Sequence, residues 1–266
     1  MSFTFEIQEN KLLTQQTIGF LFDVDGTLTY YQENDSVIDQ SLIDTLNYIN
    51  RKKMPIGLVT GRSVIWVQDH LFDYLTDDLK KQIRVFGEFG LVFWNGEKIE
   101  LSKISDDMKL ALAMVRKEVI AIFLNEKNLK AIVSYEPPNQ KCLWIEPKDC
   151  MVTFRTLQTF GLTIDHLLEI VKPIFEKYSA QLKMHYNPLA IDIIPNFASK
   201  QYGAEAAIKA LDPNNKIEQW YAFGDSESDK GMSKAKNGLV EFHLVPREET
   251  KKVHELLQKI LAKHNL

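Results

Sequence analysis

The chain has 266 residues and a formal net charge of −4. It is 45% hydrophobic and 26% charged, the balance of a soluble globular protein, and its length fits one large domain or a core with one inserted domain. No basic tract suggests a nucleic-acid face, the first twenty residues lack the apolar core of a signal peptide, and no apolar run reaches the ~18 residues of a membrane span. Two cysteines, Cys142 and Cys150, fit a reducing, cytoplasmic compartment; their spacing matches no zinc or redox pattern, and both read as small buried hydrophobes.

In chain order, the first 17 residues carry little pattern, although Phe3 to Gln8 could add an edge strand. Ile18 to Phe22 is an apolar run of the kind that forms a central strand. It stops at Asp23, and Asp25-Gly26-Thr27 follows. Ile38, Leu42, Ile43, Leu46 and Ile49 keep helical spacing. A second buried run, Ile56 to Val59, ends in Thr60-Gly61-Arg62; a helical stretch over 63–75 and a third strand over 83–87 come next. This strand and helix alternation predicts a doubly wound α/β fold with a parallel sheet. Asn95-Gly96 between two apolar runs marks a hairpin.

The rhythm then changes. Ser105 with Asp106 and Asp107 starts a helix to about Phe123. Three short strands are expected within 131–155, then a helix over 164–178 that Pro173 should kink or shift. Two strands flank the Asn187-Pro188 turn. Strands in succession predict an antiparallel sheet with helices on one face, so 103–188 reads as an inserted α+β domain, with 1–102 and 189–266 forming the core. The alternation resumes from Ile193: a helix after Lys200, a strand ending at Asp225, a helix over 227–236, another strand, and an amphipathic helix through Val253, Leu257 and Leu261.

Three buried runs thus end in Asp23, Thr60 and Asp225, and a parallel sheet gathers those ends on one edge, where ligands of open α/β sheets bind. Asp25 and Asp229 join them, and Lys200 opens a helix nearby. Carboxylates collected in one place repel unless a cation or a reaction uses them. A hard divalent ion such as Mg²⁺ suits all-oxygen donors, and a carboxylate can attack phosphorus. The competing readings are weaker. An EF-hand from Asp23 would need Glu at its twelfth position, which is Asn34, and Thr60-Gly61-Arg62 lacks the glycine-rich run of a P-loop. The six histidines show no metal-ligand spacing.

Taken in order, Asp23-Val24-Asp25-Gly26-Thr27-Leu28, Thr60-Gly61-Arg62, Lys200 and Gly224-Asp225-Ser226-Glu227-Ser228-Asp229 resemble the four motifs of the haloacid dehalogenase superfamily of phosphatases. The position of the insertion resembles the type II caps, subclass IIB, whose members include sugar-phosphate phosphatases, Cof-like phosphatases and phosphomannomutase. The resemblance implies a Mg²⁺-dependent phosphomonoesterase with Asp23 as nucleophile and Asp25 as general acid/base. It implies Thr60, Gly61, Arg62 and Lys200 around the phosphoryl group, and a metal held by Asp23, Asp225, Asp229 and the Asp25 backbone carbonyl. Lys200 departs from the pattern, because Gln201 and Tyr202 separate it from Gly203 where relatives usually have Lys-Gly. In the insertion, Lys148 and Arg155 could grip a sugar or a second anion, and Tyr135, Glu146, His185 and Asn187 are further polar candidates. A small phosphate ester is the expected partner, with a phosphohexomutase and a non-catalytic phospho-ligand sensor as alternatives.

Overall fold

The computed structural model describes residues 17–32 and 35–266; the expected strand at Phe3 to Gln8 lies outside them. The parallel strands of the first sheet arise where the sequence puts buried runs. They are β1 (Ile18–Phe22), then after a short hairpin of β2 (Tyr30–Gln32) and β3 (Asp35–Val37), β4 (Ile56–Val59) and β5 (Arg84–Gly87). α1 (Gln40–Arg51) and α2 (Val64–Leu71) join them, the second capped by Ser63 Oγ accepting the Trp66 N–H at 3.1 Å. The single helix expected over 63–75 is two: α2 passes into a 3-10 turn, and Thr76 caps a separate α3 (Asp77–Gln82). β6 (Val92–Trp94) and β7 (Ile99–Leu101) form the expected hairpin and extend the sheet antiparallel.

The second sheet follows. α4 (Asp106–Asn125) precedes β8 (Ala131–Val133), β9 (Leu143–Glu146) and β10 (Val152–Arg155). α5 (Ile164–Glu176) carries Pro173 in its last turn without a break, and β11 (Leu182–Asn187) and β12 (Ala190–Pro195) close the sheet in the order β11-β12-β10-β9-β8. Its pairs are antiparallel except β8 with β9. The expected boundary at residue 188 is corrected here. Asn187-Pro188 is the tip of a hairpin, and Asn187 Oδ1 accepts the N–H of Leu189 and Ala190 at 2.8 and 3.1 Å. The ladder from Asn187↔Ala190 to Leu182↔Pro195 therefore keeps 189–195 with this sheet and not with the core.

The chain returns with α6 (Lys200–Leu211), β13 (Gln219–Gly224), β14 (Val240–Leu244) and α7 (Thr250–Lys263), completing a first sheet of order β14-β13-β1-β4-β5-β6-β7. The helix expected over 227–236 is an irregular 3-10 segment, Asp229–Gly238, with Ala235, Lys236 and Asn237 outside helical angles. β1 lies between β4 and β13, so the chain leaves it in both directions across the sheet; this switch point opens a crevice at the strands' carboxyl ends. The core below is fully apolar, with Phe20, Leu21, Phe22, Leu58, Val59, Ala222 and Phe223 buried.

Candidate active site

Asp23, Thr60 and Asp225 emerge side by side from β1, β4 and β13, as the register of those strands requires. Asp23 is tied to the neighbouring strand by its N–H, which donates to the Phe223 carbonyl at 2.9 Å. Gly26 turns the chain with φ of +77°, and a Cβ there would stand 2.5 Å from Asp225 Oδ2, so only glycine lets this turn lie against the second acid.

Lys200 opens α6, where Ser199 Oγ caps the helix by accepting the Tyr202 N–H at 3.1 Å. Its ammonium lies 2.5 Å from Asp23 Oδ1, 2.7 Å from Asp229 Oδ1 and 2.8 Å from the Val59 carbonyl. The unusual spacing to Gly203 thus leaves the lysine inside the site. Gly203, one turn along, lies where α6 meets Gly90, whose added Cβ would stand 2.5 Å from the Gly203 Cα.

The charges set one another. Burial lifts the Asp23 carboxyl well above the usual carboxylate range, with Lys200 opposing it. Burial also works against the Lys200 ammonium, but Asp229 and Asp23 outweigh it and hold the proton more firmly than in water. Asp229 moves down, since Lys200 and two bonds from Ser226 overcome its burial. Asp225 is raised by burial and by Asp229.

Arg62 occupies a different place from the phosphate role expected of it. Its guanidinium grips Asp25 with two bonds, Nε to Oδ2 at 2.8 Å and Nη2 to Oδ1 at 2.9 Å. It also reaches the Tyr31 hydroxyl at 2.7 Å and Glu146 Oε2 at 3.5 Å, and it stacks on Trp66 with 4.1 Å to the ring centroid. Four of five N–H donors are engaged, so the residue orients the acid. Burial works to raise the Asp25 carboxyl, and Arg62 reverses it and lowers it.

Above this edge stands the second sheet. Lys148 Nζ lies 2.7 Å from Glu146 Oε1 and donates to the Gly61 carbonyl at 2.9 Å. Arg155 Nη1 lies 3.3 Å from Glu146 Oε2. Both candidate cap cations therefore share one buried carboxylate with Arg62. Tyr135 donates no group to the cavity; its hydroxyl meets Ser63 Oγ at 3.3 Å. Between the sheets lies a cavity of about 510 Å³, lined by all ten residues singled out for the site and by Glu146, His185 and Asn187. Sequence reasoning missed Tyr31, Phe89, Thr153, Asp192 and Arg247 on its wall. Asp192 had a readable signal, as an acid inside the apolar run of β12, whereas Tyr31, on the short strand β2, and Arg247, in the loop before α7, had none.

A metal fits the acidic end. One carboxylate oxygen each from Asp23, Asp225 and Asp229 lies within 4.8 Å of the others. Three hard oxygen donors suit Mg²⁺.

Fold and site together define a doubly wound α/β protein with a polar, acid-lined site at the strand ends. The family model of haloacid dehalogenase-like hydrolases matches residues 20–239, and the chain belongs to that family. A haloacid dehalogenase-like hydrolase from Bacteroides thetaiotaomicron shares the fold with a TM-score of 0.64 at 16% identity, over 92% of this chain and 99% of that one. Trehalose-6-phosphate phosphatase from Aspergillus fumigatus gives 0.55 at 15% identity, over 95% and 94%. IMP-nucleotidase from Plasmodium falciparum gives 0.63 at 17% identity, over 94% of this chain and 63% of that one. No curated protein matches by sequence. Among the described residues no helix is long and apolar enough to cross a membrane.

Proposed function

We propose that this hydrolase is a Mg²⁺-dependent phosphomonoesterase of small molecules, with a sugar phosphate as substrate and an aspartyl phosphate on Asp23 as intermediate. The observation that carries the reading is the pairing of two unlike carboxylates in one cavity. Asp23 stands at the floor against Lys200, and Asp25 is turned by Arg62 two residues away. Phosphatase neighbours of the same fold support it, and a reducing, cytoplasmic setting accords with two free buried cysteines.

Asp23 attacks phosphorus while Asp25 gives its proton to the leaving alcohol. Asp25, then a carboxylate, takes a proton from the water that attacks the aspartyl phosphate, which releases inorganic phosphate and restores Asp23. With both Arg62 bonds in place Asp25 is ionised, the form that the second step needs; the first step needs one of those bonds released. Lys200 keeps Asp23 oriented and presents positive charge to the phosphoryl oxygens. Thr60 and the Gly61 backbone border the same space. Asp23, Asp225 and Asp229 would hold Mg²⁺, with the Asp25 carbonyl as a fourth donor. Bound there, Mg²⁺ supplies the charge that draws and steadies the phosphate oxygens. The second sheet covers the cavity and keeps bulk water out.

Release of phosphate from para-nitrophenyl phosphate tests the reading. Wild type is expected to turn over only with Mg²⁺, and Asp23→Asn to be inactive with an unchanged circular dichroism spectrum. Full activity of Asp23→Asn, free of deamidation, would remove Asp23 as nucleophile.

A further inference from the structure

Arg62 holds Asp25, and a stack of rings holds Arg62. Arg62, Trp66 and His70 follow one another at intervals of four residues, from just before α2 to its last turn. The guanidinium carbon of Arg62 lies 4.1 Å from the centroid of the Trp66 ring. The Trp66 and His70 rings are 4.4 Å apart and 10° from parallel. Three flat groups thus form one continuous stack that ends at the partner of Asp25.

The rings of this stack are themselves fixed. Trp66 is 4% exposed, and its N–H donates to Ser63 Oγ at 3.1 Å. His70 Nδ1 lies 2.9 Å from the Trp66 carbonyl and Nε2 lies 3.2 Å from Glu136 Oε1, so the imidazole cannot turn without losing a partner. Glu136 belongs to the loop after β8, and the hydroxyl of its neighbour Tyr135 meets Ser63 Oγ at 3.3 Å. The inserted sheet therefore touches this stretch at residues 63 and 70, on either side of Trp66 in the chain.

The fork on Asp25 creates the need for such a brace. A guanidinium held only by its hydrogen bonds can pivot out of the carboxylate plane, and both bonds then weaken. The further contact with Glu146, at 3.5 Å, is too long to fix the plane. A buried aromatic face at van der Waals distance does fix it, and the attraction between cation and ring favours the stacked orientation. The two-step reaction also releases and remakes one Arg62 bond in each turnover, and a guanidinium resting on a fixed ring returns to the same place.

We infer that Trp66, braced by His70, is a positioning residue for the acid/base steps, acting on Asp25 solely through the plane of the Arg62 guanidinium. The inference rests on the phosphatase reading above. It gives a role to two side chains that do not line the cavity.

The experiment is a double-mutant cycle read by steady-state kinetics on para-nitrophenyl phosphate with Mg²⁺. Trp66→Leu keeps apolar bulk and removes the flat face; it should lower kcat about 3- to 10-fold, the range of a cation–π contact, with KM within about 2-fold. Trp66→Phe keeps a face and should retain about half or more of the wild-type kcat. In an Arg62→Lys background, where the fork is already lost, Trp66→Leu should add less than about 2-fold, because losses that act through one group do not multiply. Losses that do multiply would make Trp66 structural and overturn the inference. So would a Trp66→Phe as poor as Trp66→Leu, or a raised KM with unchanged kcat. Should Trp66→Leu fail to fold by circular dichroism, His70→Ala takes its place in the cycle, with kcat lowered about 2- to 3-fold in the wild-type background and unchanged in the Arg62→Lys one. No effect of His70→Ala in the wild-type background, or an equal loss in both, would overturn the inference. Wild type inactive on para-nitrophenyl phosphate with Mg²⁺ would instead overturn the phosphatase reading on which it rests.

Discussion

The Glu88 carboxylate, at the end of β5 in the first sheet, accepts the backbone N–H of Cys150, in the loop after β9 in the second, at 2.7 Å. Its other oxygen accepts the Asp149 N–H at 2.9 Å. The Glu88 side chain is wholly buried and sits beside Lys148, whose ammonium bonds the Gly61 carbonyl. Glu88 and Phe89 both adopt positive φ, 51° and 60°, uncommon for side chains of their size. Backbone strain of this kind persists where the surroundings over-determine it.

The clasp predicts how stability depends on pH. Burial pushes the Glu88 carboxyl up to about 7 from an ordinary 4.5, against Lys148 and the two N–H donors. The folded state therefore binds this proton more tightly than the unfolded chain. Its stabilising effect is complete below pH 4.5 and is lost as pH rises toward 7, by on the order of 3 kcal/mol. Glu88→Gln has no such titration, so its stability relative to wild type should rise across that window. Denaturant unfolding of both proteins at several pH values measures the difference, and a constant difference would mean that Glu88 is solvated in solution.

Arg62→Lys tests the grip on Asp25. A lysine carries the charge but cannot make the two-bonded fork or stack on Trp66. General acid/base catalysis is worth about 10²- to 10⁴-fold, and a misdirected acid forfeits part of it. We expect kcat on para-nitrophenyl phosphate to fall roughly 10- to 100-fold with KM changed by less than about 3-fold. A raised KM with unchanged kcat would place Arg62 on the phosphate after all.

Mg²⁺ should stabilise the fold measurably. A ligand that binds only the native state contributes about 2.7 kcal/mol at a hundred times its Kd. Wild-type Tm should therefore climb with added Mg²⁺. Asp225→Asn, at the half-buried edge of the triad, should remain folded and lose that rise. An equal rise in the variant would move the ion elsewhere.

What the sequence made legible was whatever a local pattern determines. Asp23, Thr60 and Asp225 each end a buried run, and a parallel sheet can put such ends in only one place. Lys200 could be read from its place in the order of motifs and not from a strand end, because the apolar run before its helix is β12 of the second sheet. The partners of Arg62 could not be read, since residues 25, 31 and 146 meet it only through three separate elements. The apolar run of β12 suits either sheet, and its hairpin pairing with β11 decides between them. Asp192 was in view as an acid among Ile191, Ile193 and Ile194, but its meaning depends on the strands beside it.

Gly90 and Gly161 provide a matched pair for the last test. Both have positive φ, +88° and +72°, so alanine at either is strained. Nothing lies within 4 Å of a Cβ at Gly161, and Gly161→Ala should cost only the roughly 1 kcal/mol of an unfavourable backbone and leave turnover unchanged. At Gly90 the added methyl would stand 2.5 Å from the Gly203 Cα, backbone against backbone, and neither side can turn away. Relief requires α6 to move, and its first residue is Lys200. Gly90→Ala should therefore lose about 1–3 kcal/mol beyond Gly161→Ala, the scale of overpacking in a close-packed interior. It should also lower kcat, because the Lys200 ammonium leaves its place 2.5 Å from Asp23. Thermal melts and steady-state kinetics of the two variants separate these effects: equal Tm losses with full activity in both would mean that the Gly90 contact does not position the lysine.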